Sequence, residues 1–186
     1  DCHALLDRLH QRQAYSFSVA ASLLRCSVAQ AVTWLLAMQS RGEYPFVVGS
    51  DRVTLAQYWP LHQATAQHYV PSVWLPQVHE WRCMHVVSST QTYLMDHPLT
   101  QPGFQVCLAA KQTQGRGQHQ REWRMAYADG LCLSIATWVP WVPEALSLHL
   151  AVGLVLLLNQ QARQPLFQLK WPNDLWISGK KCGGLL

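Results

Sequence analysis

Leu166 to Trp171 reads as an apolar strand, and Pro172 ends it. Proline has no backbone donor and a fixed φ, so the chain must leave the sheet there. Asn173 and Asp174 then stand at a strand end, where polar groups can reach a ligand or a metal ion. Asn-Asp after Pro is also good turn chemistry, so the pentapeptide Lys170-Trp171-Pro172-Asn173-Asp174 taken alone reads equally as a turn. Just beyond, Leu175 to Ile177 and Cys182 to Leu186 form a hairpin around Ser178-Gly179-Lys180. Lys181 opens a strand whose glycines permit close approach by a ligand. An ammonium there neutralises a carboxylate or the charge developing on a phosphate. A solvated hairpin lysine is the other reading, and it suits Lys180 better.

Upstream, Cys83 to Val87, Phe104 to Lys111 and Leu131 to Trp138 are further strand candidates. Thr90 to Asp96 suits a helix. A longer helix opens at Pro143, with Glu144 near the positive end of its dipole, and runs to about Ala162 before Pro165. Between strands lies Gly115-Arg116-Gly117, where flanking glycines let backbone approach an anion that a guanidinium grips as a fork. An ordinary glycine-rich surface loop has the same composition. Ser89 and Thr90 can hydrogen-bond a small polar head group or cap the helix that follows. Trp123 can stack on a purine, although in a chain with nine tryptophans a packing role is the default.

The first 60 residues have a different texture. Leu5, Leu6 and Leu9 give a helical stripe; Ser18 caps a second helix, Val19 to Leu24; Ser27 caps a third, Val28 to about Gln39, which Gly42 stops. Arg25-Cys26-Ser27 has the length of a helix-turn-helix turn. Tyr44 to Leu55, with Gly49-Ser50-Asp51 at its middle, reads as a β-hairpin wing. Tyr58 to Pro76 is connector with room for one helical turn. The expected architecture is α+β: a winged helix-turn-helix at 1–60, a connector at 61–80, and a mixed sheet covered by helices at 81–186.

Charge is sparse at 13%, below the rough 25% of a typical soluble domain, which leaves surface for contacts. A net charge of +4, spread along the chain, does not by itself point to nucleic acid. The six cysteines lie far apart without a Cys-x-x-Cys pair, and most sit in apolar runs, so reduced, buried thiols in a cytoplasmic protein are expected. The nine histidines lack metal-ligand spacing, and no zinc is expected. The longest apolar run, Leu150 to Leu158, falls far short of the ~20 residues needed to cross a bilayer, so no membrane partner is expected.

The order Ser88-Ser89-Thr90, Gln112, Gly115-Arg116-Gly117, Trp123, Lys170-Trp171-Pro172-Asn173-Asp174 and Lys181 resembles that of the biotin-protein ligases. With the N-terminal helices it is similar to the bifunctional ligase/biotin-operon repressor subgroup, whose catalytic sheet is of the class II aminoacyl-tRNA-synthetase type. The resemblance implies that Ser89, Thr90, Gln112, Gly115, Arg116, Lys181 and Gly184 serve biotin. It implies that Arg121, Trp123, Asn173 and Asp174 serve ATP, that Asp174 ligates Mg²⁺, and that Lys181 and Arg116 are catalytic. The implied partners are the biotin carboxyl carrier protein of acetyl-CoA carboxylase, operator DNA through Ser27, Gln30 and Thr33, and a second copy of the chain.

Several positions depart from the family pattern. The loop usually reads Gly-Arg-Gly-Arg-x-Gly-Arg-x-Trp, and here Gln118 and Gln120 replace an arginine and a glycine. Loss of one charge-assisted hydrogen bond, roughly 1.5–3 kcal/mol, should loosen the grip on an anionic adenylate. Ser88 stands in place of Asp and Gly130 in place of Asn. Arg25 takes the turn position that is commonly Gly. The recognition helix, Val28 to Trp34, carries no basic residue. Because the family continues the sheet beyond the position of Leu186 and adds a small SH3-like domain, the catalytic domain is expected to be C-terminally incomplete. Two other classes stay open: a biotin-responsive repressor with weak or no catalysis, and a lipoate-protein ligase on the same catalytic fold.

Overall fold

The apolar stripe Leu5, Leu6 and Leu9 is helical and buried, as its spacing predicts. The computed structural model describes residues 5–6, 8–9, 14–41, 44–55, 63–68, 70, 72–73, 75–142 and 144–186. They divide into two compact units, one of 1–115 with 123–138 and one of 116–122 with 139–186.

In the first unit, strand β1 (Tyr15–Ser16) runs directly into helix α1 (Phe17–Leu24). This corrects the expected start at Val19 with Ser18 as cap. Ser16 holds the cap position in extended conformation without a side-chain cap bond, and the Ser16 and Ser18 hydroxyls pair at 2.9 Å. The strand forces the early start: Ser16 pairs with Arg52, and the first-turn Phe17 N–H donates to the Asp51 carbonyl at 3.3 Å. Arg25 then turns the chain in the left-handed region (φ 56), a conformation that side-chain-bearing residues rarely adopt. Helix α2 (Val28–Arg41) opens on a capping box. The Gln30 N–H donates to Ser27 Oγ at 3.3 Å, and the Ser27 N–H donates to Gln30 Oε1 at 3.0 Å. The helix outlasts the expected end at Gln39 by half a turn, and Gly42 lies outside the described residues.

Strands β2 (Phe46–Val48) and β3 (Arg52–Leu55) form the antiparallel hairpin around Gly49-Ser50-Asp51, and the sheet order is β1-β3-β2. Gln39 of α2 ties the hairpin to the helix by accepting the Val48 N–H at 2.9 Å. Leu5, Leu6, Leu35, Phe46 and Val53 form the core, and Trp34, Tyr44 and Phe46 pack tilted and stacked rings beside it. Helix α3 (Gln63–His68) is the helical turn expected in the connector.

The second sheet of this unit has order β4-β5-β8, from β4 (Val78–Val87), β5 (Phe104–Gln112) and β8 (Cys132–Thr137). Strand β4 is parallel to β5 and β8 antiparallel to it, so the sheet is mixed. Strand β4 begins five residues before the expected Cys83 because its first half is held by polar pairs that hydropathy cannot see. Arg82 pairs with Glu80 at 2.7 Å, and the Gln105 amide donates to Glu80 at 2.8 Å. Gly103 (φ 148) lies so close to the His79 ring that a Cβ there would collide with it. One face of β5 packs Val106, Leu108 and Ala110 with Val86 and Tyr127. Helix α4 (Thr90–Asp96), at its expected limits, covers β5 and β8. Strand β6 (Gly115–Arg116) pairs with β7 (Glu122–Trp123).

The second unit holds helix α5 (Leu146–Ala162) and the antiparallel strands β9 (Phe167–Lys170), β10 (Asp174–Ile177) and β11 (Lys180–Gly184), in the order β11-β10-β9. The helix was expected to open at Pro143 with Glu144 in its first turn. Glu144 instead precedes it in a turn, because Ala145 is left-handed (φ 55) and interrupts the helical path; Pro143 lies outside the described residues. Asn159 fastens the helix to β9. Its amide donates to the Phe167 carbonyl at 2.9 Å, and its carbonyl accepts the Phe167 N–H at 2.7 Å.

Among the described residues no single helix is long and apolar enough to cross a membrane. Burial pushes the thiols of Cys83 and Cys132 up to about 11 and that of Cys107 to about 12, so they stay neutral at physiological pH. Cys182 corrects the expectation of buried thiols: it is exposed on β11, an edge strand.

Leu35 and Leu36 are neighbours on α2, the first fully buried and the second 48% exposed. Leu35→Ala should lower stability by about 2–5 kcal/mol, and Leu36→Ala by no more than about 0.5 kcal/mol. Urea unfolding followed by Trp fluorescence checks both.

Candidate functional site

Because β4 and β5 are parallel, their carboxyl ends open on the same side of the sheet, where ligands of open α/β sheets gather. The loops after both strands keep the pairing going: Thr113 N–H donates to Val87 O at 2.9 Å and Gln114 N–H to Ser88 O at 2.8 Å. Ser89, Thr90 and Gln112 are brought together by that geometry. Ser89 is buried and caps α4, accepting the Thr92 N–H at 3.4 Å. The buried Thr90 gives its backbone N–H to Gln112 Oε1 at 2.7 Å and its hydroxyl to the same oxygen at 3.0 Å.

Gly115 continues this cluster. A Cβ there would meet the Trp123 carbonyl at 2.5 Å and Gln112 Nε2 at 3.1 Å, so the position admits only glycine. Trp123 itself is half-buried on β7. Arg116 and Arg121 are exposed, and the loop between them is closed by the Gly117 N–H donating to the Arg121 carbonyl at 2.7 Å. The left-handed residue of this loop is His119 (φ 56), not Gln120, so the glycine that the family places at 120 is not what the backbone of this chain requires.

In the second unit, Asp174 and Lys181 face each other at 2.6 Å, Lys181 Nζ donating to Asp174 Oδ1. A bulge makes this contact. The register pairs Leu175 with Gly183 but Trp176 with Lys181, so Cys182 is the extra residue and the alternation of β11 shifts by one. Lys181 thereby joins the face that Gly184 shares with Asp174, and a Cβ on Gly184 would sit 3.5 Å from Asp174 Oδ1. Asn173 is buried and holds the end of the chain. Its side-chain amide donates to the Leu185 carbonyl, and its own carbonyl accepts the Leu185 N–H at 2.9 Å. Lys170 lies over the Trp176 ring at 4.6 Å.

The candidate DNA contacts are partly occupied with one another. Ser27 and Gln30 form the capping box of α2, and the exposed Thr33 hydroxyl donates to the Ala29 carbonyl at 2.9 Å.

Sequence reasoning missed two polar residues inside apolar strands. Ser134 of β8 shares a 2.8 Å hydrogen bond with the Thr90 hydroxyl. His85 of β4 is buried, bonded through Nδ1 to the Tyr127 hydroxyl at 2.7 Å and stacked on its ring. The available signal was the polarity itself, a lone polar side chain in an otherwise apolar alternation.

Residues 83–186, which hold all of these strand-end clusters, match the Biotin/lipoate A/B protein ligase family. The bifunctional ligase/repressor BirA of Escherichia coli is 31% identical over 103 residues, covering 54% of this chain and 32% of that protein. BirA of Bacillus subtilis is 35% identical over 108 residues, with the same coverage. The chain thus spans about a third of the length of these relatives. Among solved structures, the biotin protein ligase of Aquifex aeolicus in complex with biotin and ATP is similar at 27% identity and a TM-score of 0.45, over 59% of this chain and 45% of that one. The match to more than half of its residues makes this chain a member of the biotin/lipoate A/B protein ligase family.

Proposed function

We propose that this chain carries the acid-activating part of a biotin-protein ligase. The observation that carries the reading is the Lys181–Asp174 pair, set by a strand bulge beside the bare backbone of Gly184 within the span matched by the family. A cation so placed serves a reaction in which one carboxylate and one phosphate meet. In the first step a carboxylate oxygen of biotin attacks the α-phosphorus of ATP. The new O–P bond forms as the bond to the β-phosphate oxygen breaks, and pyrophosphate leaves. In the second step the ε-amine of a carrier-protein lysine attacks the acyl carbon, AMP leaves, and the amide forms with loss of a proton.

In this reading Lys181 and Arg116 neutralise the charge that builds on the carboxylate and α-phosphate. Ser89, Thr90, Gln112 and Gly115 hold the biotin head group, and Gly184 serves biotin through its bare backbone. Arg121, Trp123, Asn173 and Asp174 serve the nucleotide. Asn173 acts through position, because its amide is committed to the Leu185 carbonyl. Among the described residues no three His, Cys, Asp or Glu side chains cluster. Magnesium commonly takes one or two carboxylates with the substrate's own phosphates, and Asp174 fits that smaller demand as a single ligand. The ion would supply charge neutralisation at the phosphates.

The same reading takes the catalytic part, residues 81–186, as a class II synthetase-like sheet. It takes residues 1–60 as a winged helix-turn-helix joined through 61–80, with a biotin carboxyl carrier protein as acceptor and self-association as a further property. Operator binding is the second reading, supported by α1, the Arg25 turn, α2 and the β2–β3 hairpin. It works against a recognition helix without basic residues, in a segment whose five arginines (Arg8, Arg12, Arg25, Arg41, Arg52) face four acids (Asp1, Asp7, Glu43, Asp51). A lipoate ligase would share the sheet and differ in the acid that it activates, so competition between the two acids separates these classes.

Lys181→Ala should lower biotinoyl-AMP formation at least about 10²-fold with an unchanged circular dichroism spectrum. Unchanged adenylation, read by pyrophosphate release, overturns the role. Gln118→Arg restores a guanidinium to the loop and should slow release of biotinoyl-AMP by about tenfold or more, the kinetic equivalent of one charge-assisted bond. An unaltered release rate in a filter assay would mark Gln118 as silent. Operator recognition driven by phosphate contacts requires gel-shift affinity that falls steeply from low to moderate salt, and a salt-independent shift removes that reading.

A further inference from the structure

Thr90 has a backbone N–H that can only donate, and its partner at 2.7 Å is Gln112 Oε1, which can only accept. That single contact fixes which end of the Gln112 amide faces Thr90. The Thr90 hydroxyl donates its one proton to the same Oε1 at 3.0 Å, so toward Ser134, 2.8 Å away, it must act as acceptor. The direction of donation that satisfies all three contacts is therefore Ser134 to Thr90 to Gln112. With its carbonyl committed twice, Gln112 turns Nε2 toward the bare side of Gly115, 3.1 Å from where a Cβ would stand. Among the described residues that amide nitrogen has no hydrogen-bond partner.

We propose that Ser134 is a positioning residue that locks the polarity of the Ser134–Thr90–Gln112 relay, so that the strand-end cluster presents the Gln112 amide as a donor and selects acids whose head group carries a carbonyl acceptor. The inference rests on the ligase reading above and adds to it the sign of the hydrogen bond at the head group. A dithiolane offers no comparable acceptor, whereas the ureido carbonyl of biotin does. Replacing that carbonyl by an imine, protonated at neutral pH, turns the acceptor into a donor and sets it against Nε2. Gln112→Glu keeps the oxygen that Thr90 uses and replaces the donor by a second acceptor, so it reverses the sign of the site at constant shape.

The test is calorimetric titration of the whole chain with biotin and with 2-iminobiotin, in wild type, Ser134→Ala, Ser134→Thr and Gln112→Glu, alongside hydrogen exchange of the Thr90 amide without ligand. Wild type should prefer biotin at least about tenfold, and Gln112→Glu should invert the preference. Ser134→Ala should narrow it several-fold and speed Thr90 exchange, with Ser134→Thr restoring both. A Gln112→Glu variant that keeps the wild-type preference overturns the proposal, as does a Ser134→Ala variant with unaltered preference and exchange. Binding of neither acid by a wild type whose Thr90 amide is protected and depends on Ser134 overturns the biotin reading and its substrate class, while the relay stands. An unprotected Thr90 amide in wild type overturns the relay whether or not biotin binds.

Discussion

The parallel pairing of Val78–Val87 with Phe104–Gln112 is the constraint on which the strand-end cluster of the first unit depends. Parallel strands cannot be joined by a tight turn, so the chain must leave β4, cross as α4 and return before β5 can begin. That crossing puts the N-terminus of α4 and the carboxyl end of β5 at one edge. Gln112 is 22 residues beyond Thr90 in sequence, and it is this register, with Val87 opposite Gln112, that makes it a neighbour of Ser89 and Thr90. An antiparallel arrangement would send Gln112 to the opposite end of the sheet. Strand β8 runs antiparallel on the other side of β5, with Ser134 opposite Cys107, and adds the third member of the cluster.

The second unit reaches its polar contact by a different device. A regular hairpin would alternate Lys181 and Gly184 on opposite faces, and the extra residue at Cys182 brings them to the same one. The Asn173–Leu185 bonds then hold the distal end of β11 against the turn that Pro172 imposes. Proline, asparagine and the bulge act together: one ends β9, one anchors the return, and one aims the lysine.

Much of this was legible in the residues. Thr90–Asp96 was found at its limits because a capping serine precedes a short apolar stripe, and the hairpin after Lys170-Trp171-Pro172-Asn173-Asp174 because Pro172 cannot pair. The early half of β4 was not legible, since Glu80 pairs with Arg82 along the strand and accepts from Gln105 across the sheet, and these residues leave no apolar alternation to read. The start of α1 was misplaced because its position depends on a strand partner more than thirty residues away, in the β2–β3 hairpin. Ser134 was invisible as a site residue for the same reason: its meaning lies in a partner 44 positions earlier. Local chemistry shows in a sequence; register shows only once strands have paired.

The Lys181–Asp174 pair bears on how such a site can hold a charged lysine in readiness. Lys181 is 41% exposed and Asp174 26%, so water screens their attraction. Ion pairs in that setting contribute about 0–1 kcal/mol, little more than thermal energy. A buried pair would be different, since opening it strands an uncompensated charge at a cost of about 3–5 kcal/mol. Asp174 can therefore aim the lysine without retaining it. A ligand anion that offers a better-desolvated partner can draw the ammonium across, and the carboxylate left behind stays in contact with water. The bulge at Cys182 supplies the direction and partial exposure supplies the screening, on a strand that lies at the sheet edge.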